Sequence, residues 1–420
     1  MRQSVTETRL PDLESFHRPG LADVIEAIAT GDEEARLVGG TVRNALLGVP
    51  VIDIDIATTA RPEVVRDRCE AAGMKVVPTG IEHGTVTVVS QGEGYEVTTL
   101  REDVETHGRH ATVRFGRDWH RDAERRDFTM NALYADLDGT VYDPVGGIED
   151  CLARRVRFIG RAEDRIREDF LRILRFFRFH AAYGADDFDR EGLDAAIRLR
   201  DELRQLSKER IGHEMSRLVM APRAAETLET MSDSGFGSPI VGGLLQHALF
   251  SRLIAICEWL DRPADLAVRL ATLAGPLSED MKRVAERLKL ANRHADRMAR
   301  MAEAWRRIVP EPDDAGAKEA LYRLGPETYR DAALFAFMQS GADVDDTGWR
   351  RTVELAETWT APKFPVAGAD LRKAGLKQGP AVGRMLARLE SEWVASDYSL
   401  DKQALMAKAK DFADNAGKAS

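Results

Sequence analysis

Cysteine and long apolar runs are both scarce in this chain. Three cysteines, Cys69, Cys151 and Cys257, are spread over 420 residues. They are too few and too far apart for a disulfide framework or a cysteine-built zinc site, and such usage is typical of a reducing cytoplasm. No apolar run approaches the roughly 20 residues that a membrane span needs. The first residues also lack the apolar core of a secretory signal. We therefore expect a cytoplasmic protein without a membrane anchor.

The balance of charge disfavours one class of ligand. The formal net charge is −10, which argues against a protein that coats long nucleic acids. Between Cys151 and His180, however, nine arginines stand against four acidic residues. A basic stripe on an acidic protein suits a confined, phosphate-rich ligand, and it predicts that Arg175 and Arg178 contact a nucleotide.

The chain changes character near residue 150. Before that point, β-branched and glycine-bounded segments predict strands at 51–58, 84–90 and 95–100 and helices at 41–48 and 61–73. After it the strand signals stop, and amphipathic helical segments rich in Ala, Leu, Arg and Glu follow. We predict an α+β fold in which a mixed-sheet head at 1–150 precedes an all-helical remainder.

The sharpest motif is a strand that runs into two glycines and a helix, followed by a strand with two aspartates. Gly39 and Gly40 let the backbone approach a ligand, and Arg43 adds a cation one turn into a helix whose start favours phosphate. Asp53 and Asp55 lie two apart on a strand, so both side chains leave the same face. Neighbouring carboxylates repel each other unless a cation lies between them, as in two-metal phosphoryl transfer. The alternative is a surface strand with solvated acids.

Two further clusters extend this predicted site. Glu96 lies on a strand of the same sheet and is a candidate third carboxylate, although an exposed glutamate of no function is the alternative. Asp127 and Asn131 are four residues apart, which places them on one face of a predicted helix. We expect this pair to hold ribose hydroxyls while Arg126 meets phosphate.

A third cluster, around Asp169 and Arg172, predicts selection of the nucleotide base. The spacing i, i+3 makes the two residues neighbours on a helix surface. A carboxylate only accepts hydrogen bonds and a guanidinium only donates them. Cytosine and adenine present an amine beside a ring acceptor and match the pair, whereas uracil and guanine present the reverse pattern and are repelled. A surface ion pair of little consequence is the alternative.

Three other segments have supporting or open interpretations. Residues 101–120 are polar and lack a regular pattern, so an inert linker and a functional loop both remain open. Residues 143–150 are expected to form a hinge between the head and the helices. Glu209, Arg210 and Glu214 are predicted to buttress the base-reading helix from a second helix.

Together these clusters resemble the bacterial-type (class II) CCA-adding tRNA nucleotidyltransferase and poly(A) polymerase family, closely over residues 35–220 and loosely beyond. The resemblance implies a polymerase-β-like nucleotidyltransferase head at 1–150, a base-reading neck at 151–220, a body at 221–310 and a tRNA-binding tail at 311–420. It implies Mg²⁺ as cofactor and untemplated addition of C, C and A to tRNA from CTP and ATP, with no obligate protein partner. It also implies the roles already given to the four clusters. Asp53, Asp55 and Glu96 are catalytic, and Asp53 with Asp55 binds the metal. Nucleotide contacts fall to Gly39, Gly40, Arg43, Arg126, Asp127, Asn131, Asp169, Arg172, Arg175 and Arg178.

Details of the resemblance favour CCA addition over poly(A) synthesis. Residues 78–86 are similar to the CCA branch, and the 101–120 segment argues against relatives that add only CC, which have a shortened loop. Asn44 departs from the family, which usually has Asp after the arginine. Near the C-terminus, Gly375, Gly379 and Gly383 are spaced so that they permit close approach of RNA backbone, although a glycine-punctuated packing unit is an equal alternative.

Two other functions remain open on the sequence. One is a poly(A) polymerase or a partial CC- or A-adding enzyme of the same family. The other, of a different class, is a catalytically silent RNA-binding protein that keeps the fold. The intact carboxylate pair and the Asp169–Arg172 pair disfavour the second, since a binding protein has no need of them.

Overall fold

The computed structural model describes residues 5–11, 14–81, 84–107, 110–185, 187–310, 315–376 and 378–418. The chain divides into two compact units. The first comprises Met1–Leu245 with Arg287–Lys289, and the second comprises Gln246–Glu286 with Leu290–Ser420. The finer division into head, neck, body and tail stays a prediction.

Strands occur only in the first 142 residues of the described chain. They are β1 (Val5–Arg9), β2 (Ala35–Val38), β3 (Asp55–Thr58), β4 (Lys75–Gly80), β5 (Thr85–Ser90), β6 (Glu93–Thr99), β7 (Arg101–His107), β8 (His110–Phe115), β9 (Tyr134–Ala135) and β10 (Thr140–Tyr142). Eight of them form one sheet in the order β1-β10-β9-β2-β3-β6-β5-β4, and β7 pairs with β8 separately. The β3–β6 pairing is parallel and its neighbours are antiparallel, so the sheet is mixed as predicted.

The helices of the first unit follow and flank this sheet. They are α1 (Leu21–Ile28), α2 (Gly40–Leu46), α3 (Pro62–Ala71), α4 (Trp119–Glu124), α5 (Gly147–Leu152), α6 (Ala162–Glu168), α7 (Leu171–Tyr183), α8 (Arg190–Arg198), α9 (Lys208–Leu218), α10 (Ala224–Asp233) and α11 (Gly237–Val241). The sheet and the helices share a core in which Val38 and Ala57 of two strands pack with Trp119 of α4.

In the second unit, helices are the only regular secondary structure among the described residues. Its helices are α12 (His247–Trp259), α13 (Leu266–Ala274), α14 (Ser278–Arg287), α15 (Asn292–Ala304), α16 (Ala315–Leu324), α17 (Pro326–Gln339), α18 (Thr347–Thr358), α19 (Gly368–Lys373), α20 (Pro380–Ala395) and α21 (Lys402–Lys418). One core cluster centres on Leu371, Leu389 and Trp393. The α+β head with a helical remainder is therefore confirmed, and no helix in the described ranges has the length and apolarity to cross a membrane.

The structure corrects three local predictions. The strand predicted at 51–58 begins only at Asp55, and Asp53 lies in a bend before it. Segment 101–120 is not irregular over its described backbone, because it forms the paired strands β7 and β8 and the start of α4, and a functional role for this segment stays a prediction. The helix predicted after Arg126 is a short 3-10 helix, Thr129–Asn131.

Candidate active site

One cavity of about 650 Å³ in the first unit is lined by every residue that the sequence assigned to catalysis, metal binding or nucleotide binding. The predicted residues that line it are Gly39, Gly40, Arg43, Asp53, Asp55, Glu96, Arg126, Asp127, Asn131, Asp169, Arg172, Arg175 and Arg178. The sequence did not point to Thr41, Arg101, Arg125, Tyr183 or Arg217, which also line it. Motifs separated by more than 100 residues along the chain thus converge on a single site.

The glycine turn opens the backbone to this cavity. Gly39 has φ 63°, in the left-handed region that favours glycine. A Cβ added to Gly39 would lie 3.4 Å from an Nη atom of Arg126 and 3.5 Å from the carbonyl oxygen of Asn131. These distances are ordinary van der Waals contacts, so it is the positive φ that would strain a side chain here, and glycine leaves the main chain accessible to a ligand.

Arg43 of α2 is buried, yet all of its side-chain hydrogen bonds go to neutral groups. Its guanidinium donates to Oδ1 of Asn131 at 2.5 Å, to Oδ1 of Asn44 at 2.8 Å and to the hydroxyl of Tyr183 at 2.8 Å. It also lies 4.0 Å from the centre of the Tyr183 ring. Burial lowers the pKa of Arg43. Asn44, where the family usually has Asp, therefore holds the guanidinium without neutralising its charge.

Among the carboxylates that line the cavity, Asp53 lies in the bend before β3, Asp55 on β3 and Glu96 on β6. Asp55 on β3 pairs in register with Glu96 on the parallel strand β6. Thr41 fixes the bend, because its hydroxyl accepts from the Asp55 N–H at 2.9 Å and lies 3.4 Å from the carbonyl oxygen of Asp53. Burial, and then the charge of Glu96, raises the pKa of Asp55 to about 6. This arrangement favours a bound cation, since a cation would relieve both effects.

The donor set fits a divalent metal that keeps further ligands from its substrate. Carboxylate oxygens are the ligands that Mg²⁺ prefers, and Mg²⁺ sites in proteins commonly use only one or two carboxylates with substrate phosphates. Within the described ranges no three His, Cys, Asp or Glu side chains form a compact metal-binding group. Asp53 and Asp55 are thus the expected ligands, and the role of Glu96 as a third ligand remains a prediction.

Asp127 and Asn131 are in contact, but their polar groups are largely occupied by the protein. Oδ1 of Asp127 accepts from the Phe128 N–H at 2.9 Å and from the Asn131 amide at 3.0 Å. Its Oδ2 accepts from Arg175 at 2.7 Å. Burial alone would raise the pKa of Asp127, but Arg175 and these hydrogen bonds lower it overall. Asp127 is therefore an ionised anchor that holds Arg175 in place.

Behind the cavity lies an acidic residue that sequence reasoning missed. Asp122 of α4 is 1% exposed and binds Arg125, Arg126 and the hydroxyl of Tyr134. Burial would raise the pKa of Asp122, but the two guanidinium groups hold it well below its usual range. The Asp122-x-x-Arg125-Arg126 spacing was the available signal, because i, i+3 and i, i+4 neighbours meet on a helix.

The prediction that Asp169 and Arg172 are neighbours on one helix surface is wrong for Asp169, although both residues line the cavity. Asp169 is not helical but extended between α6 and α7, with φ −154°. Its carboxylate accepts from the Leu171 N–H at 3.1 Å and from Arg210 at 2.6 Å. The Arg172 guanidinium instead pairs with Glu168, the last residue of α6, four residues earlier in the chain. The Asp169 side chain is therefore held by Arg210 and the Arg172 side chain by Glu168.

Helix α9 contacts α7 and the segment before it, and this confirms part of the predicted support. Arg210 binds Asp169, and Glu214 of α9 is 3% exposed and binds Arg178. Glu214 also lies 4.0 Å from Arg175. The predicted supporting contacts of Arg210 and Glu214 are thus present, whereas Glu209 has no such contact among the described residues.

Comparisons with known proteins agree with this geometry. Residues 35–157 match the family model described as "Poly A polymerase head domain", and residues 187–244 match "Probable RNA and SrmB- binding site of polymerase A". The chain is 32% identical to the mitochondrial CCA tRNA nucleotidyltransferase 1 of Homo sapiens, over 95% of this chain and 92% of that protein. It is also 32% identical to the CCA-adding enzyme of Geobacillus kaustophilus (strain HTA426), over 91% of this chain and 94% of that one.

Solved structures agree as well. The Bacillus stearothermophilus CCA-adding enzyme in complex with CTP superposes with a TM-score of 0.77 at 29% identity, over 95% of this chain and 98% of that one. A CCA-adding enzyme in complex with ATP superposes with a TM-score of 0.70 at 18% identity, over 96% and 98% of the two chains, which supports the fold alone.

Proposed function

Because the chain belongs to the CCA-adding enzyme and poly(A) polymerase family, we propose that it adds C, C and A to the 3′ end of tRNA from CTP and ATP without a nucleic-acid template. One observation carries this proposal. A single cavity contains both a carboxylate pair suited to phosphoryl transfer and an acid and an arginine suited to reading a base. A binding protein needs neither, and an ordinary polymerase would take its base selection from a template strand.

In this reaction the 3′-hydroxyl of the tRNA attacks the α-phosphate of the nucleotide, and the bond to pyrophosphate breaks. Gly39 and Gly40 offer main-chain groups to the triphosphate. Arg43 provides a full positive charge there, since its protein partners are neutral. The residues act by positioning and charge stabilisation, so no covalent intermediate with the protein is required.

Asp53 and Asp55 would hold Mg²⁺, and the fit rests on their adjacent, otherwise unpaired carboxylates. The chemistry that the metal supplies when bound is a lower pKa for the attacking hydroxyl and compensation of charge on the leaving pyrophosphate. Thr41 contributes by fixing the bend between the two aspartates. Glu96 adds negative charge beside Asp55.

Base selection follows from the hydrogen-bonding capacity that the fold leaves free. Two donors occupy the Asp169 carboxylate, whereas a carboxylate has about four acceptor sites. Three of the five N–H groups of Arg172 point to protein oxygens. The remaining acceptor and donor sites fit the amine and ring acceptor of cytosine or adenine and oppose those of uracil or guanine.

Hydrogen bonds within the protein limit which atoms of Asp127 and Asn131 could contact the sugar. Asp127 already accepts from Phe128, Asn131 and Arg175. Asn131 uses its oxygen for Arg43 and one N–H for Asp127. The second amide N–H of Asn131 is therefore the group that we assign to a ribose hydroxyl, with Asp127 in a positioning role.

Product length tests this function directly. Purified protein is incubated with a tRNA that lacks its 3′ terminus, with CTP, ATP, UTP and GTP singly and in pairs, and the products are resolved at single-nucleotide length. We expect two additions with CTP alone and three with CTP and ATP, after which extension stops. Open-ended runs of A would instead identify a poly(A) polymerase. If extension stopped after two C additions although ATP was present, the protein would be a partial, CC-adding enzyme. We expect the reaction in the cytoplasm, which fractionation of source cells would test.

A further inference from the structure

The cavity's arginines differ in whether the protein compensates their charge. Most of them lie against a carboxylate of the fold. The pairs are Arg125 and Arg126 with Asp122, Arg172 with Glu168, Arg175 with Asp127, and Arg178 with Glu214. A guanidinium that is paired in this way is fixed in orientation and carries little net charge toward a ligand.

Arg217 is different. It lies in the last turn of α9, is exposed and lines the cavity. Its side chain makes no ion pair or hydrogen bond with any other residue in the described part of the chain. It lies near enough to Arg178 for the two like charges to repel, which contributes to a lowered pKa of Arg178 after the larger effect of burial.

The like charges of Arg217 and Arg178 repel each other, and an anion bound beside them would relieve this repulsion. Glu214 and Asp127 compensate Arg178 and Arg175, so the charge of Arg217 is left over. Arg43 is the comparable case at the glycine turn, where all protein partners are neutral. The cavity thus contains two arginines whose charge is available to a ligand, on α2 and on α9.

We propose that Arg217 binds a phosphate group of a substrate, in addition to the contacts made through Arg43. The proposal rests on the proposed function, since it assumes that the cavity receives a nucleotide and an RNA 3′ end. Two sources can supply that phosphate. One is the triphosphate of the incoming nucleotide, and the other is the backbone of the tRNA acceptor strand.

The test compares Arg217→Gln and Arg217→Lys with the control Arg190→Gln. Arg190 begins α8, is exposed and lies outside the residues that line the cavity. Steady-state KM and kcat are measured separately for CTP and for tRNA ending in its discriminator base. Binding of that tRNA to each protein is measured between about 50 and 200 mM salt, because the affinity of a protein that contacts phosphates falls steeply over this range. Circular dichroism checks that each variant is folded.

Each result has one meaning. If the triphosphate is the ligand, Arg217→Gln raises the KM for CTP by about tenfold, tRNA binding stays unchanged, and Arg217→Lys restores part of the loss. If RNA backbone is the ligand, tRNA affinity falls by a similar factor and the slope of log affinity against log salt decreases by about 0.7–0.9. If neither parameter differs from the Arg190→Gln control while the wild-type protein adds CCA, this assignment is wrong and the proposed function stands. A wild-type protein that adds no nucleotide defeats the proposed function itself.

Discussion

Three of the carboxylates and four of the arginines that line the cavity are compensated in opposite ways. Asp53, Asp55 and Glu96, the acidic group, have no side-chain hydrogen bond or salt bridge to any described residue. Arg126, Arg172, Arg175 and Arg178, the arginine group, each pair with a carboxylate of the protein. Unbalanced charge invites an exchangeable ligand, whereas balanced charge fixes geometry. From this comparison we infer that the acidic group binds an exchangeable ligand and that the arginine group forms a rigid frame.

The largest effect is expected from the acidic group. Asp53→Ala should lower the rate of nucleotide addition by about a thousandfold or more, because the position that holds the cation is lost. Binding of tRNA should persist, since the Asp53 side chain makes no hydrogen bond or ion pair with any residue that the structure describes. Single-turnover addition of labelled CTP and a filter-binding assay measure the two quantities. Normal addition by this variant would remove the metal site and leave the silent RNA-binding protein as the better description.

The next effect concerns the frame. Asp122→Asn should lower the free energy of unfolding by about 3 kcal/mol, because Arg125 and Arg126 would lose their buried counter-ion. Urea unfolding followed by circular dichroism measures the change. The matched control is Asp67→Asn, whose carboxylate is 68% exposed and should change stability by less than about 0.5 kcal/mol. Equal effects of the two substitutions would contradict the distinction between frame and ligand site.

Base selection should respond more modestly. Asp169→Asn replaces a pure acceptor by a group that can also donate, so discrimination against UTP relative to CTP should fall by about 10- to 100-fold, or roughly 1.4–3 kcal/mol. Arg210→Gln should shift the same ratio less, since Arg210 acts by holding Asp169. The ratio of kcat/KM for the two nucleotides is the measurement. Unchanged ratios in both variants would exclude Asp169 from base reading.

The smallest effect separates function from stability within the acidic group. The folded-state pKa of Asp55 is about 6, above the value of about 3.9 expected for the unfolded chain. Ionised Asp55 therefore destabilises the metal-free protein above pH 6, and this cost disappears as pH falls toward 4. In EDTA at pH 7.5, Asp55→Asn should thus be inactive yet more stable by about 1–2 kcal/mol. If Asp55→Asn were less stable than the wild-type protein from pH 4 to pH 7.5, the Asp55 carboxylate would have a stabilising partner in the protein, which would contradict this prediction.

The residues that line the cavity could largely be predicted from short sequence motifs. Gly39, Asp55, Glu96 and Arg172 belong to short motifs whose residue types and spacing reflect their chemistry, and all of them line one cavity. Strands with an apolar face were also predictable, because Val86 and Val88 of β5 alternate into the core.

Other features depend on pairings that no local pattern encodes. Arg175 finds Asp127 across 48 residues, and Arg178 finds Glu214 across 36. The β7–β8 ribbon was missed because its sequence is polar and lacks the apolar alternation of a half-buried strand. The helical pattern of the flanking sequence led to the prediction that Asp169 is helical. In the structure its backbone is extended and separates α6 from α7.

Binding of Mn²⁺ tests the central distinction most directly, because Mn²⁺ accepts the same oxygen ligands as Mg²⁺ and free Mn²⁺ is quantified by electron paramagnetic resonance. The wild-type protein, the Asp53→Asn/Asp55→Asn double variant and the Asp67→Asn control are titrated with Mn²⁺ in the presence of CTP. We predict that the wild-type protein and the control bind Mn²⁺ equally and that the double variant binds it at least about tenfold more weakly. Equal binding by all three proteins would contradict the account, because the unpaired carboxylates would then not be the cation site.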